Sequence, residues 1–266
     1  MSTPPSFEAI LIRERLRRDE VSEHFYGGLS WFPLATTSLL ALCVLAYGTS
    51  VLFEGLAGLP WPLLAWGPRQ PEVLLLLGAR QDLAIASQPW RLLSCALLHG
   101  GPLHLLLNGL ALYGLGRICE AIYGPVRLLA LFLGSALAGS VLSWLGGVPL
   151  SVGASGAVFG LLGAGMVFGL RFRRQLPVEL QRVLGWSLAP WIALNLAIGL
   201  LPMLPIDNLA HVGGLIGGAV LGLLLRDKVV GEGGHPRLTA ALALVCATTL
   251  GWPLFEVLRA AARFLA

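Results

Sequence analysis

The chain has 266 residues and a net charge of +4, yet only 12% of its residues are charged while 56% are hydrophobic. A soluble domain carries about twice that charged fraction, and the mean hydropathy of +0.78 is high. The composition excludes an ordinary soluble protein and predicts an all-α polytopic membrane protein, because several apolar stretches approach the ~20 residues that cross a bilayer as a helix. No basic stripe interleaves with aromatic residues, so no nucleic-acid partner is expected.

The first segment, residues 1–33, is polar and mixed in charge. It lacks the basic and then apolar order of a cleaved secretory signal. Four arginines in it are typical of a segment kept inside by the positive-inside rule: Arg13, Arg15, Arg17 and Arg18. We therefore expect residues 1–33 to be a cytoplasmic tail and lead-in.

Seven membrane spans are predicted in the rest of the chain. They cover approximately residues 34–53, 102–115, 128–145, 155–172, 183–201, 209–225 and 238–254. The loop of residues 54–98 is unusually long and rich in Pro, Gly and Trp, which predicts a structured or re-entrant element. With the cationic loops inside, this first loop and the turns before spans four and six face outward. The chain thus divides into a core, residues 34–228, and an additional C-terminal helix with its tail, residues 229–266.

Glycine spacing predicts that spans four and six pack closely. Glycines recur at four-residue intervals on both: Gly156 and Gly160 on one, Gly214, Gly218 and Gly222 on the other. His211 lies three residues before Gly214 and therefore on the same helix face. Close packing of the two spans would bring His211 near Ser155, both at outward helix ends.

Few polar side chains fall within or beside the spans, and each is costly in lipid, so each is a candidate functional residue. They are His99, His104, Asn108, Ser155, Asn195 and His211. An intramembrane Asn is often an interhelical contact, which is the favoured interpretation of Asn195. Each histidine taken alone is equally explained as a packing residue.

Taken together, these residues contain the parts of acyl-transfer chemistry. A serine hydroxyl needs an adjacent general base, which His211 could supply to Ser155. The oxyanion of a tetrahedral intermediate needs fixed donors, and His104, Asn108 and the Ser155 backbone N–H could provide them. Asp207, four residues before His211, could orient that ring, but its place at a polar turn already explains it.

Other intramembrane chemistries find little support in the sequence. No HExxH zinc motif and no pair of intramembrane aspartates are present, and the four cysteines are scattered. A G-x-S-x-G elbow of the soluble hydrolase type would need a preceding strand, which this context does not predict. No metal and no cofactor are therefore expected.

Four motifs follow one another between residues 90 and 225. They are Trp90-Arg91, His99-x4-His104-x3-Asn108, Gly153-Ala-Ser155-Gly156 and Ala210-His211-x2-Gly214-x3-Gly218. In this order they resemble the first-loop, second-helix, GxSG and sixth-helix motifs of the rhomboid family of intramembrane serine proteases. One motif alone would be weak, but four in order are specific.

The resemblance implies a six-transmembrane-helix core with a seventh C-terminal helix, and a serine endopeptidase in a bacterial inner membrane. It implies a Ser155–His211 dyad without an acid, and an oxyanion hole of His104, Asn108 and the Ser155 amide. The substrate would be a transmembrane helix, cleaved within or near its outer end amid membrane lipid. Supporting positions by the same resemblance are Gly153, Gly156, His99, Phe159, Gly214, Gly218, Trp90 and Arg91.

Two positions refine the resemblance, and two other classes stay open. Phe159 stands where many bacterial members have Tyr; its ring could still stack under His211, but it offers no phenol hydrogen bond. Glu120 looks like the family's structural acid at the cytoplasmic end of the second helix.

A catalytically inactive relative that binds transmembrane clients is the main alternative to a protease. A transporter would predict inverted repeats, and no such pair of halves is found.

Overall fold

The computed structural model of the protein describes residues 7–230 and 236–265 and is mostly helical. Its α-helices are α1 (Phe7–Ser30), α2 (Leu34–Leu56), α3 (Trp61–Trp66), α4 (Pro71–Leu76), α5 (Arg91–Ser94), α6 (Pro102–Tyr123), α7 (Pro125–Leu145), α8 (Ser155–Arg171), α9 (Val178–Gln181), α10 (Ala189–Ile198), α11 (Asn208–Leu224) and α12 (Pro236–Leu265). Three 3-10 turns cover Asp82–Ala84, Cys95–Leu97 and Gly185–Leu188. Two-residue strands, β1 (Arg80–Gln81) and β2 (Leu150–Ser151), pair antiparallel with Arg80 opposite Ser151.

Among the described residues, four helical stretches are long and apolar enough to cross a membrane. They are Glu14–Leu56, Pro102–Tyr123, Pro125–Leu145 and Pro236–Arg259. The apolar helices α8 and α11 have 17 residues each, about 25 Å at 1.5 Å per residue. The all-α, polytopic fold class is confirmed, whereas these helices do not reproduce seven full-length spans.

The predicted fifth span over residues 183–201 is not confirmed as a full-length helix. Its only α-helix, α10, has 10 residues, about 15 Å of the ~30 Å hydrocarbon core. Gly185 takes a left-handed φ of +68° and begins the 3-10 turn Gly185–Leu188, which leads directly into α10. Gly169 of α8 allows that turn to approach, since a Cβ on Gly169 would overlap the backbone of Gly185.

The N-terminal segment is more ordered than a tail. Residues 7–30 form α1, whose Val21 and Phe25 are buried in the core that includes α6. Residues 1–6 of the predicted tail lie outside the described residues, as do residues 231–235 and 266 of the C-terminal segment.

Helix α6 ends two turns later than predicted, and there Glu120 accepts the backbone N–H groups of Ala35 and Thr36, both at 2.9 Å. Glu120 therefore caps α2, a structural role.

The centre of the molecule is α8, most of whose residues are buried, and α11 packs extensively against α8 and α7. A Cβ on Gly214 would overlap the carbonyl oxygen of Gly156, and one on Gly218 would overlap that of Gly160. The predicted close packing of these two helices is confirmed. Helix α12 lies against α7 and touches α4 and α5.

The first loop is structured, as its length predicts, and buried arginines hold it. Arg69 forms a buried ion pair with Glu54 at 2.6 Å and donates to three backbone carbonyls of residues 63–67. Arg91 donates to the carbonyls of Leu75 and Ala79 at 2.6 and 2.9 Å. The strand β2, although only two residues long, corrects the prediction of no strand before the serine segment.

Candidate active site

Ser155 is the first residue of α8, and Gly153 before it has a left-handed φ of +126°. The Gly153 N–H donates to the carbonyl of Cys95 at 2.9 Å, which fixes this turn against the end of the first loop. A Cβ on Gly153 would lie 2.8 Å from Nε2 of His104 and 3.8 Å from Oγ of Ser155. Gly153 is thus required for its backbone conformation and for space, and the missing side chain lets the imidazole approach the serine.

The hydrogen bonds of His104 indicate where its proton lies. The Gly100 N–H donates to His104 Nδ1 at 3.2 Å. A neutral imidazole that accepts at one nitrogen carries its proton on the other, so Nε2–H is a donor on the Gly153 side. His99 meets this ring edge to face, with centroids 5.2 Å apart. Burial lowers the pKa of His99 to about 3, so the pair carries no charge repulsion at neutral pH.

Asn108 lies one turn after His104 on α6 and is only 8% exposed. Its Nδ2 donates to the His104 carbonyl at 2.9 Å. An amide nitrogen has two N–H groups, so one donor of Asn108 remains available. This side chain is held in place by its own helix.

His211 is buried on the first turn of α11 and stacks on Phe159 of α8. The ring centroids are 4.2 Å apart and the planes differ by 8°, the stacking expected from the sequence. Nδ1 of His211 has no hydrogen-bond partner among the described residues. Asp207 does not orient the ring, because its carboxylate accepts the Ala210 N–H at 2.9 Å and the hydroxyl of Ser143. The interpretation of Asp207 as a turn residue is the correct one.

Ser155 and His211 lie at the adjoining ends of α8 and α11, where Gly156 meets Gly214. No hydrogen bond joins the Ser155 hydroxyl to His211 within residues 7–230. Catalytic hydrogen bonds are often long in unoccupied sites and shorten when substrate binds. The stack on Phe159 and the glycine contact define the place of the imidazole.

Three predicted positions lie elsewhere. Trp90 and Arg91 are buried in the first loop, where the guanidinium sits 4.8 Å from the Trp90 ring. Asn195 is exposed and donates to the carbonyl of Trp191 in its own helix at 2.8 Å. The interpretation of Asn195 as an interhelical contact is therefore wrong, because the side chain satisfies itself locally.

Sequence reasoning missed two residues near this site. Arg80 and Ser143 are fully buried, and both belong to the hydrogen-bond chain that ends at Asp207. The available signal was Arg80 itself, a charge three residues after the apolar run of residues 73–77. Across the described ranges, no three His, Cys, Asp or Glu side chains gather as they would around a metal ion.

The chain matches a known domain family and several known proteins. The Rhomboid domain family matches residues 86–228, more than half of the chain. Rhomboid protease GluP of Bacillus subtilis (strain 168) is 36% identical over 182 residues, 68% of this chain and 35% of that protein. RHOMBOID-like protein 5 of Arabidopsis thaliana is 37% identical over 208 residues, 75% of this chain and 66% of the relative. Rhomboid protease AarA of Providencia stuartii is 30% identical over 173 residues, 56% and 61% of the two chains.

The chain spans between about a third and two thirds of the length of each of these relatives. The family match covers the segment that contains Ser155, His211, His104 and Asn108. By both the domain match and the identity to its relatives, this chain belongs to the rhomboid family.

Proposed function

We propose that the protein is an intramembrane serine endopeptidase that hydrolyses peptide bonds in or near the transmembrane helix of membrane-protein substrates. The observation that carries the proposal is the convergence around Gly153. The His104 Nε2–H donor and the Ser155 hydroxyl both border the space in front of this glycine. The stacked His211 lies at the adjoining end of α11.

In this mechanism Ser155 Oγ attacks the carbonyl carbon of the scissile bond while His211 takes the hydroxyl proton. The tetrahedral oxyanion accepts hydrogen bonds from His104 Nε2–H, the free N–H of Asn108 and the Ser155 backbone N–H. The last of these is free because the first residues of a helix have no intrahelical acceptor. His211 then gives its proton to the leaving amine as the C–N bond breaks, and water hydrolyses the acyl-enzyme by the reverse proton path.

His211 acts in this scheme without a carboxylate partner. In Ser-His-Asp triads, the acid holds the imidazole in position through Nδ1. Here the Phe159 stack and the backbone of α11 take over that orienting role. Because a planar ring is all that stacking requires, Phe159 serves in place of a tyrosine.

The substrate class follows from where the site lies. Helix α8 is about 25 Å long, shorter than the ~30 Å hydrocarbon core. With the arginine-bearing end of α8 at the cytoplasmic surface, Ser155 at its start would meet bonds below the outer membrane surface. We infer a multi-pass protein of a bacterial inner membrane, with a cytoplasmic N-terminus and an outward-opening site among lipids. Two of the relatives are named as proteases, which favours this activity over an inactive client-binding protein.

A serine-reactive fluorophosphonate on the purified protein tests the proposal. Labelling and cleavage of a model transmembrane substrate should both be lost in Ser155→Ala and in His211→Ala. Ser87→Ala, which alters an exposed serine of the first loop, should keep both. Asn108→Ala should lower kcat by about 100-fold with little change in KM. Retained cleavage in Ser155→Ala would sink the assignment of Ser155 as nucleophile, whereas a parent protein that neither labels nor cleaves would favour the client-binding function.

A further inference from the structure

Arg80 is a completely buried arginine that connects the first loop to the end of α7. Its Nη2 donates to Oγ of Ser143 at 3.0 Å and to the carbonyl of Val148 at 2.6 Å. Its Nη1 pairs with Asp82 at 2.7 Å. A buried charge is tolerated only when it is paired and hydrogen-bonded, and these contacts meet that requirement from three segments of the chain.

Ser143 passes this connection on to α11. The Ser143 hydroxyl is also buried, and it donates to the carboxylate of Asp207. A hydroxyl has one proton and two lone pairs, so it can accept from Arg80 while it donates to Asp207. The donors therefore run in one direction, from Arg80 through Ser143 to Asp207.

Asp207 in turn holds the first turn of α11. Its other carboxylate oxygen accepts the Ala210 N–H at 2.9 Å, the arrangement of a helix N-cap. Its backbone carbonyl accepts the His211 N–H at 3.2 Å. Asp207 thus restrains His211 through the backbone of α11, and within the described residues no hydrogen bond joins its carboxylate to the imidazole.

This indirect route matters because His211 has so few other restraints. Its Nδ1 has no partner among the described residues, and within that part of the chain the aromatic contact of its ring is the Phe159 stack. The stack fixes the plane of the ring. The distance of the ring from Ser155 depends on where the first turn of α11 lies.

We propose that Arg80 and Ser143 are positioning residues, which place His211 by holding Asp207 at the N-terminus of α11. The inference rests on the proposed function, in which His211 is the general base. It assigns to the first loop a role in the geometry of the catalytic pair, because Arg80 belongs to β1 of that loop.

The kinetic test uses Arg80→Gln and Ser143→Ala in the full chain, well below each variant's Tm. Each should lower kcat by about 10- to 100-fold, the cost of a misplacement near 1 Å, while KM changes little. The double variant should be no slower than the slower single variant, because both act through one chain of contacts. Arg80→Lys, which keeps the charge and a donor, should recover part of the rate.

Arg127→Gln is the matched control. Arg127 is a buried arginine at the opposite end of α7, where it donates to the carbonyl of Tyr123 and to Thr239. Its loss should lower Tm comparably and leave kcat near that of the parent. An equal loss of kcat in Arg127→Gln, or additive effects in the double variant, would overturn the proposal.

A second measurement does not depend on protease activity. Hydrogen exchange at the amides of residues 208–213 should be faster in Arg80→Gln than in the parent, while residues 218–224 of α11 exchange as before. Unchanged exchange at residues 208–213 refutes the positioning role even if cleavage is lost. If instead Ser155→Ala still cleaves substrate, the proposed function fails, and this exchange comparison still decides whether Arg80 fixes the first turn of α11.

Discussion

Replacing Gly218 by alanine measures the contact between α8 and α11. The new Cβ would overlap the carbonyl oxygen of Gly160, a backbone atom that cannot rotate away. Overpacking of this kind costs about 1–3 kcal/mol, and alanine regains about 1 kcal/mol of helix propensity over glycine. The net expectation is a loss of up to about 2 kcal/mol in the free energy of unfolding.

Gly114 provides the matched control, because it lies inside α6 and nothing lies within 4 Å of its Cβ position. Gly114→Ala should therefore keep the propensity gain and stabilise the protein by up to about 1 kcal/mol. The same chemical change is expected to have opposite signs on the two helices. The difference in sign separates the steric cost of the added Cβ at the helix contact from the helix-propensity gain of alanine over glycine.

Thermal unfolding of the purified protein in detergent provides the assay. One kcal/mol shifts Tm by about 2–4 °C for a domain of this size, so Gly218→Ala should melt up to about 8 °C below the parent. Gly114→Ala should melt at or slightly above it. If Gly218→Ala melts as high as Gly114→Ala, the two helices are not in backbone contact and the argument for the site geometry fails with it.

Two further predictions concern Phe159 and Glu120. Phe159→Leu removes the stack on His211 and should lower kcat about 10-fold or more, whereas Phe159→Tyr should retain most of the parent's kcat. Steady-state kinetics on a model substrate measures both variants. If the Leu variant is as fast as the parent, the stack is dispensable. Glu120→Gln leaves one of the α2 amides without an acceptor and should lower the free energy of unfolding by about 1–3 kcal/mol, measured as a fall in Tm. Glu72→Gln, at an exposed position, should change the stability by less than about 0.5 kcal/mol, and an equal fall in both variants would contradict the capping role.

The close packing of α8 against α11 was predictable, because glycines spaced four residues apart form a helix face without side chains. Residues four apart share a helix face, and a row of Gly214, Gly218 and Gly222 has one common use, the close approach of another helix. The stack of His211 on Phe159 was expected from the family resemblance, in which Phe159 takes the place of a tyrosine.

Other features depend on contacts that spacing does not encode. Asn195 is bonded within its own turn, and nothing in the local sequence distinguishes this from an interhelical bond. The helical part of the predicted fifth span begins only at Gly185, which adopts a left-handed conformation against Gly169, a tertiary contact between distant positions. The chain from Arg80 to Asp207 joins residues 63 and 64 positions apart, so no local pattern could reveal it.

The buried arginines of the first loop have a consequence for where that loop can lie. Backbone carbonyls outside helices normally depend on water, which the interior of a bilayer does not supply. Arg69 and Arg91 donate to five carbonyls of the loop, which lie in the last turns of α3 and α4, where a helix leaves carbonyls unpaired, and in the residues that follow them. Arg80 donates to the carbonyl of Val148 in the turn before α8. The loop therefore contains its own substitute for solvent, so its conformation can persist at any depth from the aqueous phase to the acyl chains. We expect it to keep the same fold in detergent micelles and in bilayers of different thickness.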